Sequence, residues 1–383
     1  MCRFVEPAWI FSGAVRADTS GRRGWAETKR DFIGDDMKAA YVTGPMQIEL
    51  RETPVPQVPD DGILIAVRAC GVCGSDLRRW REGADAESDP LIAGHEISGV
   101  VTTVGTRVMD YCVGEHLAIA PDVHCGKCYY CEHGLYNLCD HLHLIGISPG
   151  YNGGFAEYLV LTAEMLSGGI VHHVPETLSF VQAALAEPLS SVLAAHEQAG
   201  TALGDTVVVM GAGPIGCMHI AVARAHGARV ILSEPSEVRR QIATRFGPEL
   251  IIDPMNQDLV DEVHRVTGGL GADTAICANP VAATHTQAVE LVRKRGKVVL
   301  FGGLPKASPM TTLDGNRLHY NEIQVIGTFS YHPSCHALAL ETIERGLINS
   351  DHVITHTFSI DDIDRAFQTA ASGEALKVMI QMP

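Results

Sequence analysis

The stretch TVVVMGAGPIG at 206–216 constrains this chain more than any other. Residues 206–210 are β-branched and apolar, the pattern of a strand covered on both faces. Gly211, Gly213 and Gly216 follow, then a helix-forming run, CMHIAVARAH at 217–226, closed by Gly227. Each glycine has a task in that order. Gly211 permits a tight turn and Gly213 lets the backbone approach a pyrophosphate. Gly216 lets helix and strand pack closely, and Pro214 and Ile215 lie where the helix N-terminus faces phosphate charge. A lone fingerprint of this kind is weak, since an ordinary strand-to-helix turn reads the same. Here a second strand, RVILS at 229–233, follows on schedule. It ends on Glu234, 18 residues after Gly216, close to where an acid would hold an adenosine ribose. A dinucleotide is therefore expected. Glu234 would repel a 2′-phosphate, so NAD is expected over NADP, with Arg239 and Arg240 near enough to soften the preference.

A length of 383 residues suggests about two domains. The net charge of -16 argues against a nucleic-acid or anionic-membrane partner. No apolar run approaches the roughly 20 residues of a membrane-spanning helix. The 11 cysteines are not spread like those of a small secreted scaffold, for four crowd into 125–139. That pattern points to metal binding in a reducing cell, and a cytoplasmic location is expected. Residues 1–36 carry paired basic residues but no sustained period and no signal-peptide core. They are expected to be a flexible, dispensable extension; their scattered acids disfavour a transit peptide.

From 37 to 188 the chain reads as short strands and glycine turns, including 63–69 and 97–104. From 189 to 330 strands and helices alternate, with a helix at 282–293 and strands at 297–301 and 323–329. Such alternation implies a doubly wound parallel sheet. The segment 310–313 is expected as an edge strand open to a second copy of the chain, as a homodimer or homotetramer would use it. Residues 331–383 are too few for another domain and are expected to rejoin the first.

Two constellations suggest metal. Cys125, Cys128, Cys131 and Cys139 place four thiols within 15 residues, enough to close a tetrahedron around zinc with no open position. Disulfides and a zinc-ribbon nucleic-acid module are the rival readings, disfavoured by the crowding and by the acidic balance. The second constellation is dispersed: GVCGSD at 71–76, GHE at 94–96 and AEPLS at 186–190. Each offers a donor beside a turn residue, and one Cys with one His and a carboxylate or water suits a catalytic zinc with an open position.

With GAGPIG at 211–216, these motifs make the chain from residue 37 onward resemble the zinc-dependent medium-chain alcohol dehydrogenase family, particularly its sorbitol and polyol branch. The resemblance implies an α/β fold, with a GroES-like β-rich catalytic domain and a Rossmann doubly wound parallel-sheet domain. It implies two zinc ions per chain: Cys73 and His95 on the catalytic one, with Glu96 and Glu187 as ligands or close neighbours, and the four-cysteine loop on the structural one. The implied reaction removes a hydride from a small-molecule secondary alcohol, within a vicinal diol, and passes it to NAD, giving a ketone. Ser75 or a water on Glu187 would relay the proton. Ser75 could equally be a turn hydroxyl bonding local backbone. Butanediol-type and threonine-type dehydrogenases share the scaffold, and a non-catalytic zinc and nucleotide-binding protein is the third alternative. One departure bears on substrate. Polyol relatives often carry Arg before a Tyr after the last sheet strand, whereas this chain has Ser330 before Tyr331. One of these neutral groups, Tyr331 or Ser330, is expected to meet a second substrate hydroxyl.

Overall fold

The computed structural model describes residues 34–83 and 91–383. Most of the expected extension, residues 1–33, lies outside the described residues. The first strand already begins at Asp36. β1 (Asp36–Gly44) and β2 (Gln47–Pro54) form an antiparallel hairpin. β3 (Ile63–Gly71), β4 (Glu96–Val104), β5 (His116–Ile119), β6 (Asp122–Val123), β7 (His143–Leu144), β8 (Tyr158–Leu161) and β9 (Val171–His173) follow. The core of this body gathers Ile63, Ile65, Ile97, Leu117 and Phe155.

The second sheet is built from β10 (Thr206–Met210), β11 (Arg229–Ser233), β12 (Leu250–Ile252), β13 (Ala272–Cys277), β14 (Val292–Leu300) and β15 (Gln324–Gly327). Its order is β12-β11-β10-β13-β14-β15, and every pairing is parallel. Side-chain alternation along β10 explains the two covered faces. Val207 and Val209 pack into one core with Leu189, Cys217 and Ile220, while Val208 and Met210 pack into another with Leu259, Val263 and Ala288. Helices therefore lie on both faces, and β10 is buried throughout. The order reverses between β10 and β13, which opens a crevice beyond their C-terminal ends.

The chain then returns. β16 (Ile354–Ser359) and β17 (Lys377–Gln381) pair in parallel, and β17 lies antiparallel to β3, extending the first sheet to β16-β17-β3-β4-β5-β9. The helix Ile363–Ser372 presses Phe367 against Trp80 and Phe155, with ring centroids 6.0 and 5.6 Å apart.

Two expectations need correction. The helix expected over 282–293 ends at Leu291, because Val292 is buried and pairs with Ala272, and Arg293 turns to Asp273 at 2.6 Å. Residues 310–313 form no strand within the chain. Thr311 and Thr286 hydroxyls tie the segment to the helix Ala282–Leu291, and β15 is the sheet edge. Among the described residues, no helix is long and apolar enough to cross a membrane.

Candidate active site and metal centres

β3 and β4 are antiparallel neighbours with Gly71 opposite Glu96, so the residues just beyond their ends meet. Cys73 caps the helix Gly74–Glu82 in extended conformation. His95 precedes β4, after Gly94 at φ +93. A Cβ on Gly71 would fall 1.8 Å from Glu96 Oε2, so that glycine makes room for the Glu96 carboxylate, while one on Gly94 would fall 2.7 Å from the neighbouring Cys70 Sγ. Donor atoms of Cys73, His95 and Glu96 lie within 4.8 Å of one another. A thiol, an imidazole and a carboxylate at that spacing fit a zinc ion.

Two residues that the sequence reading passed over hold this cluster. Asp76 Oδ2 accepts from the Cys73 backbone N–H at 2.9 Å, and its Oδ1 lies 3.7 Å from His95 Nδ1. At that separation the carboxylate faces the ring without a hydrogen bond to it. Lys377, at the start of β17, pairs with the wholly buried Glu96 carboxylate and donates to Val72 O at 3.0 Å. Glu96 is thus within metal reach but already engaged by an ammonium.

Glu187 stands outside the 4.8 Å group. It lies in the first turn of the helix Ala186–Ala199, and Tyr331 Oη donates to its Oε1 at 3.2 Å. Burial pushes the Glu187 carboxyl up to about 8, with His95 opposing. A divalent cation nearby would pull it down again. Tyr331 is 2% exposed, and burial holds its phenol well above the ordinary value. Ser75 Oγ is buried and has no hydrogen-bond partner among the described residues. Ser330 does not face Glu187; its hydroxyl donates to Asp122 Oδ2 at 2.6 Å.

The four-cysteine loop forms a separate centre. Sγ of Cys128 lies 3.5 Å from Cys131 and 3.8 Å from Cys139, and Cys139 lies 3.5 Å from Cys125. These separations are far beyond an S–S bond of about 2.05 Å. They approximate the edge of about 3.8 Å implied by a tetrahedron with Zn–S near 2.3 Å. Backbone N–H groups of Cys125 and His141 donate to Cys139 Sγ at 3.3 Å, and backbone donors help lower the Cys128 thiol to about 6. The donor set fits zinc.

On the nucleotide side, Gly211 has φ +113, a conformation that favours glycine. A Cβ on Gly216 would sit 1.9 Å from Gly211 O, whereas one on Gly213 would meet nothing within 4 Å. Gly216 is closed by packing and Gly213 is open to a visitor. Pro214 opens the helix Pro214–Ala225, where its missing N–H is harmless. Glu234 Oε2 accepts from Ala212 N at 2.7 Å and Oε1 from Ser236 N at 2.8 Å, so the acid also braces the glycine loop. Arg240 is taken by Asp253 at 3.0 Å, and the Arg239 guanidinium lies beside Gly373. A cleft of about 710 Å³ runs from Gly74, beside Cys73, past Arg78 and Ile215 to Phe301 and Lys306. Its volume and cations suit a pyrophosphate-bearing cofactor. A smaller cavity of 270 Å³ near Met37 and Tyr151 carries none of these donors.

Residues 59–176 match the family model of the alcohol dehydrogenase GroES-like domain, and 214–345 match that of the zinc-binding dehydrogenase. The chain is 33% identical over 358 residues to sorbitol dehydrogenase of Bacillus subtilis (strain 168), covering 91% of this chain and 98% of the relative. A structure from Sinorhizobium meliloti 1021 with NADP bound superposes with TM-score 0.83 at 31% identity, over 91% of this chain and 100% of that one. The 2R,3R-butanediol dehydrogenase of Bacillus subtilis superposes with TM-score 0.81 at 28% identity, over 90% and 99% of the two chains.

Proposed function

The chain belongs to the zinc-dependent medium-chain alcohol dehydrogenases, and from that membership we propose that it oxidises a secondary alcohol within a vicinal diol, a sugar alcohol or cyclitol, to a ketone with NAD. As an alcohol and polyol dehydrogenase it works with zinc and a nicotinamide cofactor. The observation that carries the reading is the meeting of Cys73, His95 and Glu96 beside the mouth of the nucleotide cleft at Gly74. Cys73 and His95 would hold the catalytic zinc, with Glu96 kept at its side by Lys377 and Glu187 completing the site directly or through water. Cys125, Cys128, Cys131 and Cys139 would hold the structural one. When bound, zinc supplies a Lewis acid that acidifies the substrate hydroxyl, and the nicotinamide ring accepts the hydride.

The protein's own groups do the rest. Ser75 Oγ, otherwise unpartnered, takes the hydroxyl proton toward solvent. Asp76 braces the Cys73 backbone and sets its charge beside the His95 ring. Tyr331 orients Glu187 and lies beside the second hydroxyl. Gly211, Gly213, Pro214, Ile215 and Gly216 seat the pyrophosphate, and Glu234 accepts from the adenosine ribose while disfavouring NADP. The catalytic domain spans 37–188 with 331–383, the Rossmann domain 189–330. A reducing cytoplasm keeps the cysteines ready for metal. The assembly would be a homodimer or homotetramer. The likeness to butanediol dehydrogenase favours a short vicinal diol as the second reading. Initial rates with diols, sugar alcohols, inositols and threonine, each with NAD and NADP, test both. Threonine or a simple mono-alcohol as the best substrate would sink the polyol reading.

A further inference from the structure

Asp122 is a carboxylate that the reaction outlined above does not use. It opens β6 directly after Pro121 and is 2% exposed. Ser330 Oγ donates to its Oδ2 at 2.6 Å. Its Oδ1 is buried with no hydrogen-bond partner among the described residues. Ser330 and Tyr331 are consecutive, and Tyr331 Oη donates to Glu187 Oε1 at 3.2 Å, so adjacent residues of one loop bind Asp122 and Glu187. No ion pair to Lys or Arg engages it among the described residues. Ser330 is held there at some backbone cost. Its φ is +49, a region that disfavours serine, and Asn137 Nδ2 fixes the loop by donating to Phe329 O at 2.6 Å.

A buried carboxylate oxygen without a donor is costly, and such atoms persist where a ligand supplies the missing hydrogen. We propose that Asp122 is a specificity-determining residue whose free Oδ1 accepts a hydrogen bond from the hydroxyl on the carbon next to the reacting carbinol. The inference rests on the vicinal-diol reading and narrows it to an uncharged polyol. A carboxylate or phosphate on that neighbouring carbon would bring its negative charge against the unpaired Oδ1 of Asp122 and have no hydrogen to donate to it. A carbon bearing only hydrogen would leave Oδ1 unpaired, and a site built to bond a hydroxyl rejects the analogue lacking it.

The test compares 2,3-butanediol with 2-butanol, using zinc-loaded enzyme and NAD. In Asp122→Ala, kcat/KM for the diol should fall on the order of 10–100-fold more than for 2-butanol, chiefly through KM. Asp122→Asn keeps an acceptor oxygen and should recover part of the diol efficiency. Ser330→Ala frees the carboxylate to turn away and should narrow the diol preference several-fold; it carries the test if the Asp122 variants do not fold or hold zinc. Equal losses for both alcohols, or an unchanged diol preference in Ser330→Ala, overturn the role of Asp122 alone. A wild-type enzyme that prefers 2-butanol overturns the diol reading before any variant is made.

Discussion

Lys377→Met should cost about 3–5 kcal/mol of stability, the usual penalty for removing one member of a buried ion pair. Lys377 is 3% exposed and its partner Glu96 is wholly buried. The same ammonium donates to Val72 O, so its loss strands a carboxylate and a carbonyl together, beside Cys73 and His95. A surface pair of the same chemistry would matter by only about 0–1 kcal/mol. Trp80 offers a local reporter, because it is buried against Phe367, on the helix that leads into β17. Urea unfolding of the zinc-loaded protein, followed by tryptophan fluorescence, measures the effect. With an m-value of about 3 kcal/mol/M, the midpoint should drop by about 1–1.7 M. The double variant Glu96→Gln/Lys377→Met removes the stranded charge and should recover more than half of that loss. A shift under about 0.3 M, or a double variant no better than the single, would refute the buried-pair argument.

Cys128→Ser should lose one zinc equivalent and lower the melting temperature, whereas Cys73→Ser should abolish turnover with the fold largely kept; metal analysis and calorimetry on both variants check this. Gly213→Ala meets no protein atom within 4 Å, so it should fold normally yet raise KM for the cofactor, while Gly216→Ala, 1.9 Å from Gly211 O, should disturb the loop itself. A melting temperature lowered equally by both would contradict that division. Efficiency with NAD should exceed that with NADP, and the reverse ratio would show that Glu234 is not reading the ribose.

The parallel sheet was legible because its signals are local. TVVVM, three glycines and the terminal Glu234 lie within 29 residues, and the alternation of β10 between two cores follows from five apolar positions. The four-cysteine loop was legible for the same reason. What stayed hidden were partners brought together across long chain separations. Lys377 reaches Glu96 over 281 positions, Tyr331 reaches Glu187 over 144 and Ser330 reaches Asp122 over 208. Asp76 was quoted within its motif but its task was not, since a capping acid and one that also faces a histidine look alike in sequence. The end of the helix at Leu291 was missed because Val292 follows a helical pattern, and only its pairing with Ala272 makes it a strand. Residues 310–313 read as a strand from composition, yet strand identity needs a partner, and none adjoins them within the chain.

The buried polar atoms left without partners carry the strongest link between fold and function. Ser75 Oγ and Asp122 Oδ1 are two of these. Each such atom typically costs about 1–3 kcal/mol when nothing bonds it. Ser75 follows the end of β3 and Asp122 opens β6, in the body that also carries Cys73 and His95, where a metal ion and a hydroxylated substrate would supply charge and hydrogens. The rigid sheet on one side and the glycine loop on the other fix that neighbourhood before anything binds. Specificity then resides in which donors the visitor carries, because a fixed acceptor such as Asp122 Oδ1 cannot turn away from a ligand that lacks one.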